Sequence, residues 1–224
     1  MERILEPEAM DTRDEAEAYD AMDHLEVNTA FVDRIIELGA EGGHFLDLGT
    51  GPAQIPILLA KRRSKVRITA IDLSMHMLKL GEKHVAEAGL TNRISLAYID
   101  AKNLPYVAES FDGVISNSII HHLPDPMPVL RGISCVIRAG GLILICDLMR
   151  PNTPEAVQTL VERYAANDTP YQRKLFYDSF LAAFTIPEIE EMLSHVNLPG
   201  AIVVQSSDRH WSIERRAGVL SRHA

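Results

Sequence analysis

The chain has 224 residues, a size that suits one α/β domain with an elaborated end. Its 22 Lys plus Arg stand against 31 Asp plus Glu, a formal charge of −9, which argues against general binding of nucleic-acid backbone, because phosphate contacts need clustered cations. The 46 % hydrophobic and 24 % charged residues are those of a folded globular chain, and no uncharged apolar run approaches the ~20 residues of a membrane helix.

The start of the chain, with Glu2, Arg3 and Glu6, carries no signal-peptide core. Residues 14–38 read as one helix, with Ala16, Ala18, Met22, Val27, Phe31, Ile35 and Leu38 at a 3–4 residue period. Gly39, Gly42 and Gly43 end it. A strand at 44–48 and a helix at 53–63 follow; Lys61, Arg62 and Arg63 at that helix's end read as a solvated C-terminus. The next strand is 66–71, and Ser74 and Gly89 bracket the helix after it as N-cap and terminator. Strands at 94–99 and 113–116 lead to a helix that begins at Asp125 with Pro126 in its first turn. Strand 142–148 closes the alternation. Helices at 154–166, 171–184 and 186–196 and strands at 201–206 and 210–215 complete the chain. Cys135 and Cys146 both lie among apolar residues, which predicts buried, reduced thiols and a cytoplasmic location.

Strand–helix alternation with continuous apolar strands predicts a parallel sheet covered on both faces, with ligands bound at the carboxyl ends of its strands. The strongest signal sits at such an end: Asp47-Leu48-Gly49-Thr50-Gly51 runs from a strand into a helix, and its glycines permit a tight turn and close approach to a ligand. Asp72, 25 residues after Asp47, ends the next strand, where a carboxylate can accept from two ribose hydroxyls. Asp100 ends the third. The dinucleotide fingerprint wants Gly or Ala where Gln54 stands, which disfavours a nicotinamide dehydrogenase.

The ordered set Asp47 to Gly51, Asp72-Leu73-Ser74, Asp100-Ala101, Phe111-Asp112, Asn117 to Leu123 and Gly140-Gly141 resembles the class I S-adenosylmethionine-dependent methyltransferases over roughly residues 44–148. His121-His122-Leu123-Pro124-Asp125 is similar to a segment of the small-molecule methyltransferases related to ubiquinone and menaquinone biosynthesis enzymes. The resemblance implies a Rossmann-like, seven-stranded, mostly parallel sheet with an antiparallel last strand. It implies one domain over 1–224: an N-terminal helical cap (1–43), a cofactor-binding core (44–148), a helical lid (149–185) and a final helix with strands (186–224). It implies that Gly49, Thr50 and Gly51 line the methionine part of S-adenosylmethionine by backbone contact. Asp47 is implied to hold the turn and the ammonium, and Asp72 the ribose, with Leu73 beside the adenine. Asp100 and Ala101 are implied to meet the adenine's edge, and Asn117 the methionine end. Asp112 serves the fold in this family.

Methyl transfer from a sulfonium needs alignment more than acid–base chemistry, although a hydroxyl or carbon acceptor needs a base. His121, His24, Asp147 and His210 are the candidate bases, and Asp147, at the end of strand 142–148, points near the pocket mouth. His121, Tyr19 and Asp147 are the candidate catalytic residues. His24, Tyr171 and Tyr177 are the candidate substrate contacts, from the cap and the lid. Adjacent His121 and His122 are expected to project apart, so no metal is expected. The expected partner is a small molecule, without nucleic acid or membrane insertion, and the chain is expected as a monomer or homodimer. A non-catalytic cofactor-binding or regulatory module with the same fold is the alternative.

Overall fold

The computed structural model describes residues 1–6 and 12–218; the parts of the cap and of the final segment that fall at 7–11 and 219–224 lie outside the described residues. In chain order the elements are α1 (Arg13–Asp20), α2 (Leu25–Glu37), β1 (Gly43–Leu48), α3 (Gln54–Arg62), β2 (Val66–Asp72), α4 (Met75–Glu87), β3 (Ile94–Tyr98) and β4 (Phe111–Asn117). After a 3₁₀ turn at Ile120–His122 come α5 (Met127–Val136), β5 (Ile137–Leu148), α6 (Pro154–Tyr164), α7 (Pro170–Ala182), α8 (Ile186–Ser194), β6 (Ile202–Gln205) and β7 (His210–Arg215).

The seven strands form one sheet in the order β3-β2-β1-β4-β5-β7-β6. The first five pair in parallel, and β7 runs antiparallel to both β5 and β6. Side-chain alternation sorts the core into two layers. Leu46, Leu48, Val114, Ile143 and Ile145 face α5, α8 and Trp211. Phe45, Ile68, Ala70, Ile115, Leu142 and Leu144 face α2 and α3. Each fully buried aliphatic side chain contributes roughly 1.5–3 kcal/mol relative to exposure, so the central strands are the least yielding part of the molecule. Asp112 ties the start of β1 to β4: it accepts from the His44 amide at 2.7 Å and pairs with Arg138.

Three expectations need correction. The segment 14–38 is two helices. Thr12 and Glu15 form a capping box for α1, and Asp23 Oδ1 accepts the Leu25 amide at 3.0 Å, so a side chain that competes with the backbone restarts the helix there. Both cysteines are free thiols, but Cys135 is exposed, because an amphipathic helix leaves even a residue beside its apolar stripe facing out, and Cys146, on β5, is half-buried. The β5 ladder begins earlier than expected, at Ile137, since Phe111 pairs with it before the irregularity between Phe111 and Gly113. Among the described residues no helix is long and apolar enough to cross a membrane.

Candidate functional site

The parallel register aligns the carboxyl ends of four strands: Leu48 sits beside Ile71 and Ser116, and Asp72 beside Tyr98. The turn after β1, Asp72 and Leu73, Asp100 and Ala101, and Asn117 therefore share one edge of the sheet. Gly49 and Gly51 both have positive φ, 67° and 56°. Their reasons differ. A Cβ on Gly49 would lie 2.1 Å from Ile119 Cγ2, so that glycine makes room for the turn after β4. A Cβ on Gly51 would meet only Tyr19 Cε1, at 3.9 Å, so that glycine faces open space under the cap.

Two amides of this turn have partners within the protein. The Thr50 amide donates to Ile71 O at 2.9 Å and the Gly51 amide to Asp72 Oδ2 at 2.8 Å. Both donors are used inside the protein, and the turn also offers a ligand open space and side-chain oxygens. Asp47 Oδ2 and Thr50 Oγ1 are buried and have no hydrogen-bond partner among the described residues. Asp47 is 2 % exposed. Burial pushes its carboxyl up to about 7; the neighbouring Thr50 hydroxyl pulls the other way, and the Asp72 charge adds to the rise. A buried carboxylate with only a neighbouring hydroxyl, and no hydrogen bond of good geometry to that oxygen, is costly unless a cation completes it. This pair fits an ammonium such as that of S-adenosylmethionine.

Asp72 is half-buried and raised from the ordinary carboxylate range by burial, against the amides of Ser74, Gly51 and Leu73. Its Oδ1 accepts the Ser74 amide at 2.8 Å, while the helix cap itself is the Ser74 hydroxyl, which accepts from Met77. The hydrogen bonds of good geometry, one to each Asp72 oxygen, leave the carboxylate acceptor capacity for a ribose hydroxyl. Asp100 is half-buried and accepts the Lys102 amide at 2.9 Å, a turn role that leaves its second oxygen beside Lys102 Nζ at 3.4 Å. Leu73, Ala101 and Asn117 are half-buried at the same edge.

Gln54, read in the sequence only as a departure from the dinucleotide pattern, fastens the cap. It accepts from Asn28 Nδ2 at 2.9 Å and donates to Asp20 at 3.4 Å, and Asp20 also pairs with His84 at 3.2 Å. Tyr19 stacks on His24 with ring centroids 4.5 Å apart, and His24 Nε2 meets the Tyr19 carbonyl at 3.2 Å. Burial, and then the Asp72 charge, raises the Tyr19 phenol, which favours its neutral form.

The candidate catalytic pair is brought together. His121 Nδ1 donates to Asp147 Oδ1 at 2.5 Å. Asp147, fully buried, also accepts the amides of Ile120, His121 and Leu148 at 2.5, 3.1 and 2.6 Å. With that many donors around it, Asp147 is an anchor for the 3₁₀ turn and cannot act as a base. His121 charges pull against each other: burial lowers the imidazolium, but Asp147 and Glu6 outweigh it and lift His121 to about 9. Its Nε2 faces Glu6 Oε1 at 3.1 Å, and His122 Nδ1 faces the same oxygen at 3.2 Å. The two imidazoles lie 4.1 Å apart, so the expectation that they project apart fails; the 3₁₀ turn folds them onto one carboxylate. His210 is held down to about 4 by burial and Arg209, which makes it a weak base.

Sequence reasoning missed Glu6 and Arg3. Arg3 donates to the carbonyls of His121, Leu123, Pro124 and Ala182 and lies 3.7 Å over the Phe184 ring. Glu6 Oε2 accepts from Ser179 at 3.1 Å. Only charge at a chain start signalled them. The lid tyrosines do not join the site. Tyr177 packs into the α6–α7 cluster with Val157 and Val161. Tyr171 is 66 % exposed and roughly 12 Å along α7 from Ser179, eight residues at 1.5 Å each.

The sequence matches a family model described as a methyltransferase domain over residues 40–215. It is 30 % identical over 141 residues to 27-O-demethylrifamycin SV methyltransferase of Amycolatopsis mediterranei, covering 62 % of this chain and 51 % of that protein. It is 28 % identical over 172 residues to demethylmenaquinone methyltransferase of Thermotoga maritima, covering 75 % of this chain and 72 % of that one. The chain spans about half the length of the first curated relatives it matches. A SAM-dependent methyltransferase from Aquifex aeolicus shares the fold with a TM-score of 0.70 at 16 % identity, covering 92 % of this chain and 98 % of that one.

Proposed function

The chain belongs to the methyltransferase-domain family, and on that premise we propose that it moves the methyl group of S-adenosylmethionine onto a small organic molecule by in-line displacement. The observation that carries this reading is the buried, partnerless pair Asp47 Oδ2 and Thr50 Oγ1 beside the open face of Gly51. When bound, S-adenosylmethionine supplies a methyl carbon on a sulfonium, already a good leaving group. Asp47 and Thr50 then complete the ammonium, and Asp72 the ribose diol. Leu73, Asp100 and Ala101 border the adenine, while Asn117 borders the methionine end. Gly49 lets the Ile119 turn close over the site.

The acceptor enters between the cap and the 3₁₀ turn. Tyr19 offers it a neutral hydroxyl, and His121, held between Asp147 and Glu6, backs the turn that it passes. Asp147 positions His121. His24 borders the entry through its stack on Tyr19. Tyr177 supports the lid, and Tyr171 sits at its solvent edge. The relatives' names, a demethylrifamycin and a demethylmenaquinone methyltransferase, favour a small-molecule acceptor over nucleic acid, as does the charge of −9.

Thermal unfolding with S-adenosylmethionine, S-adenosylhomocysteine and NAD in parallel tests the cofactor. Ligand at 100 times its dissociation constant adds ~2.7 kcal/mol, a shift of roughly 5–11 °C at this chain length. A shift with both sulfur compounds and not with NAD supports the reading; none at saturation in folded protein overturns it. Transfer of labelled methyl to metabolites then separates an enzyme from a non-catalytic binding module, and transfer to nucleic acid alone overturns the substrate class.

A further inference from the structure

We propose that Glu6, His121 and His122 form a binding site for one divalent transition metal ion of the zinc type, oriented by Asp147. The three ligand atoms all lie within 4.8 Å of one another. Glu6 Oε1 stands 3.1 Å from His121 Nε2 and 3.2 Å from His122 Nδ1. Yet this buried oxygen has no hydrogen bond of good geometry to either ring. A metal ion between the three would complete this oxygen and both rings at once. Ligand atoms about 2.0–2.1 Å from a tetrahedral metal lie ~3.3 Å from each other, close to both distances.

The surroundings match what a metal-bound histidine requires. His121 Nδ1 donates to Asp147, which aims the ring and leaves Nε2 as the nitrogen that gives up its proton to an incoming metal. Asp147 is itself held by the amides of Ile120, His121 and Leu148, so the ring cannot swing. Glu6 is aimed by Ser179, and its chain segment is pinned by Arg3 and by the Ile4 amide on the Leu181 carbonyl. Two imidazoles and one carboxylate suit zinc, cobalt or iron(II), and not magnesium or calcium, which prefer oxygen ligands. Three protein ligands leave a further position open for water or a donor atom of a small molecule. The ion would also bolt residues 1–6 to the turn after β4. This site does not depend on the methyl-transfer reading, because it would bind metal without cofactor or acceptor.

The test uses the full, untagged chain after treatment with a chelator. Cobalt(II) is titrated by calorimetry and by its visible ligand-field absorption, and zinc is used to displace it. One ion per chain at micromolar or tighter affinity, with intense tetrahedral-type absorption bleached by zinc, is expected. Glu6→Gln and His122→Asn should each weaken binding at least tenfold while the far-ultraviolet circular dichroism is kept. Binding of similar strength in the double variant Glu6→Gln/His122→Asn would place the ion elsewhere among the nine histidines. That result, or no stoichiometric binding by the parent chain, overturns the proposal.

Discussion

The two halves of the sheet's carboxyl edge are built on opposite principles. At the end of β1 the polar atoms are left short of partners: Asp47 Oδ2 and Thr50 Oγ1 have no hydrogen bond of good geometry among the described residues. At β4–β5 the buried acid is surrounded: Asp147 takes three amides and an imidazole. The first half reads as a place prepared for something that arrives, the second as a frame that holds itself rigid. The physical distinction is where the desolvation cost is met. Asp147 meets it within the fold, whereas Asp47 carries it until a cation binds.

The strongest way to break this comparison is to remove the charge from each side. Asp147→Asn leaves buried donors facing an amide, and breaking such a pair costs about 3–5 kcal/mol. The melting temperature should fall by roughly 6–20 °C in calorimetry. Little change would mean that Asp147 does not anchor the turn. Asp72→Asn, by contrast, should spare the fold more and weaken S-adenosylhomocysteine binding by ~1.5–3 kcal/mol, since charge-assisted bonds to the ribose are lost. Unchanged affinity in isothermal titration would remove Asp72 from the cofactor site.

A finer contrast lies in pH. Asp47 titrates near 7 when buried alone, and a bound cation favours its charged form. Cofactor affinity should therefore rise as pH climbs through about 7 and level off above, by roughly tenfold between pH 6 and 8. Below that window a proton must first be displaced. Asp47→Asn should flatten the Asp47 part of this slope; an unchanged profile would assign the titration elsewhere. The smallest effect belongs to Arg3→Ala. It removes the guanidinium from four carbonyls and the Phe184 ring, and should lower stability by about 1–2 kcal/mol without changing cofactor affinity. A large loss of affinity would join the N-terminal strap to the cofactor pocket.

Legibility followed the same divide. The β1–β3 edge could be read because Asp47, Gly49, Gly51 and Asp72 announce themselves by position after apolar runs, and parallel register then makes them neighbours. The sequence did not show that Gly51's amide belongs to Asp72, because a glycine turn looks alike whether its donors face a ligand or the protein. Glu6 was invisible for a different reason: it is 115 residues from His121 and meets it only through the docking of the strap on α7. Tyr171 and Tyr177 misled because helical aromatics pack and bind with the same spacing. Helix α7 turned Tyr177 toward α6 and left Tyr171 in solvent.

What the sequence determined by itself was periodic or local: strand alternation, the helix cap at Ser74, and the order of acids along the strand ends. Those features depend on neighbours within a few residues, so the chain states them directly. Only the tertiary structure decided which polar atoms are left without partners and which charges meet across the sheet. Burial and pairing depend on residues distant in the chain, and it is their geometry that separates a site open to a ligand from an anchor already complete.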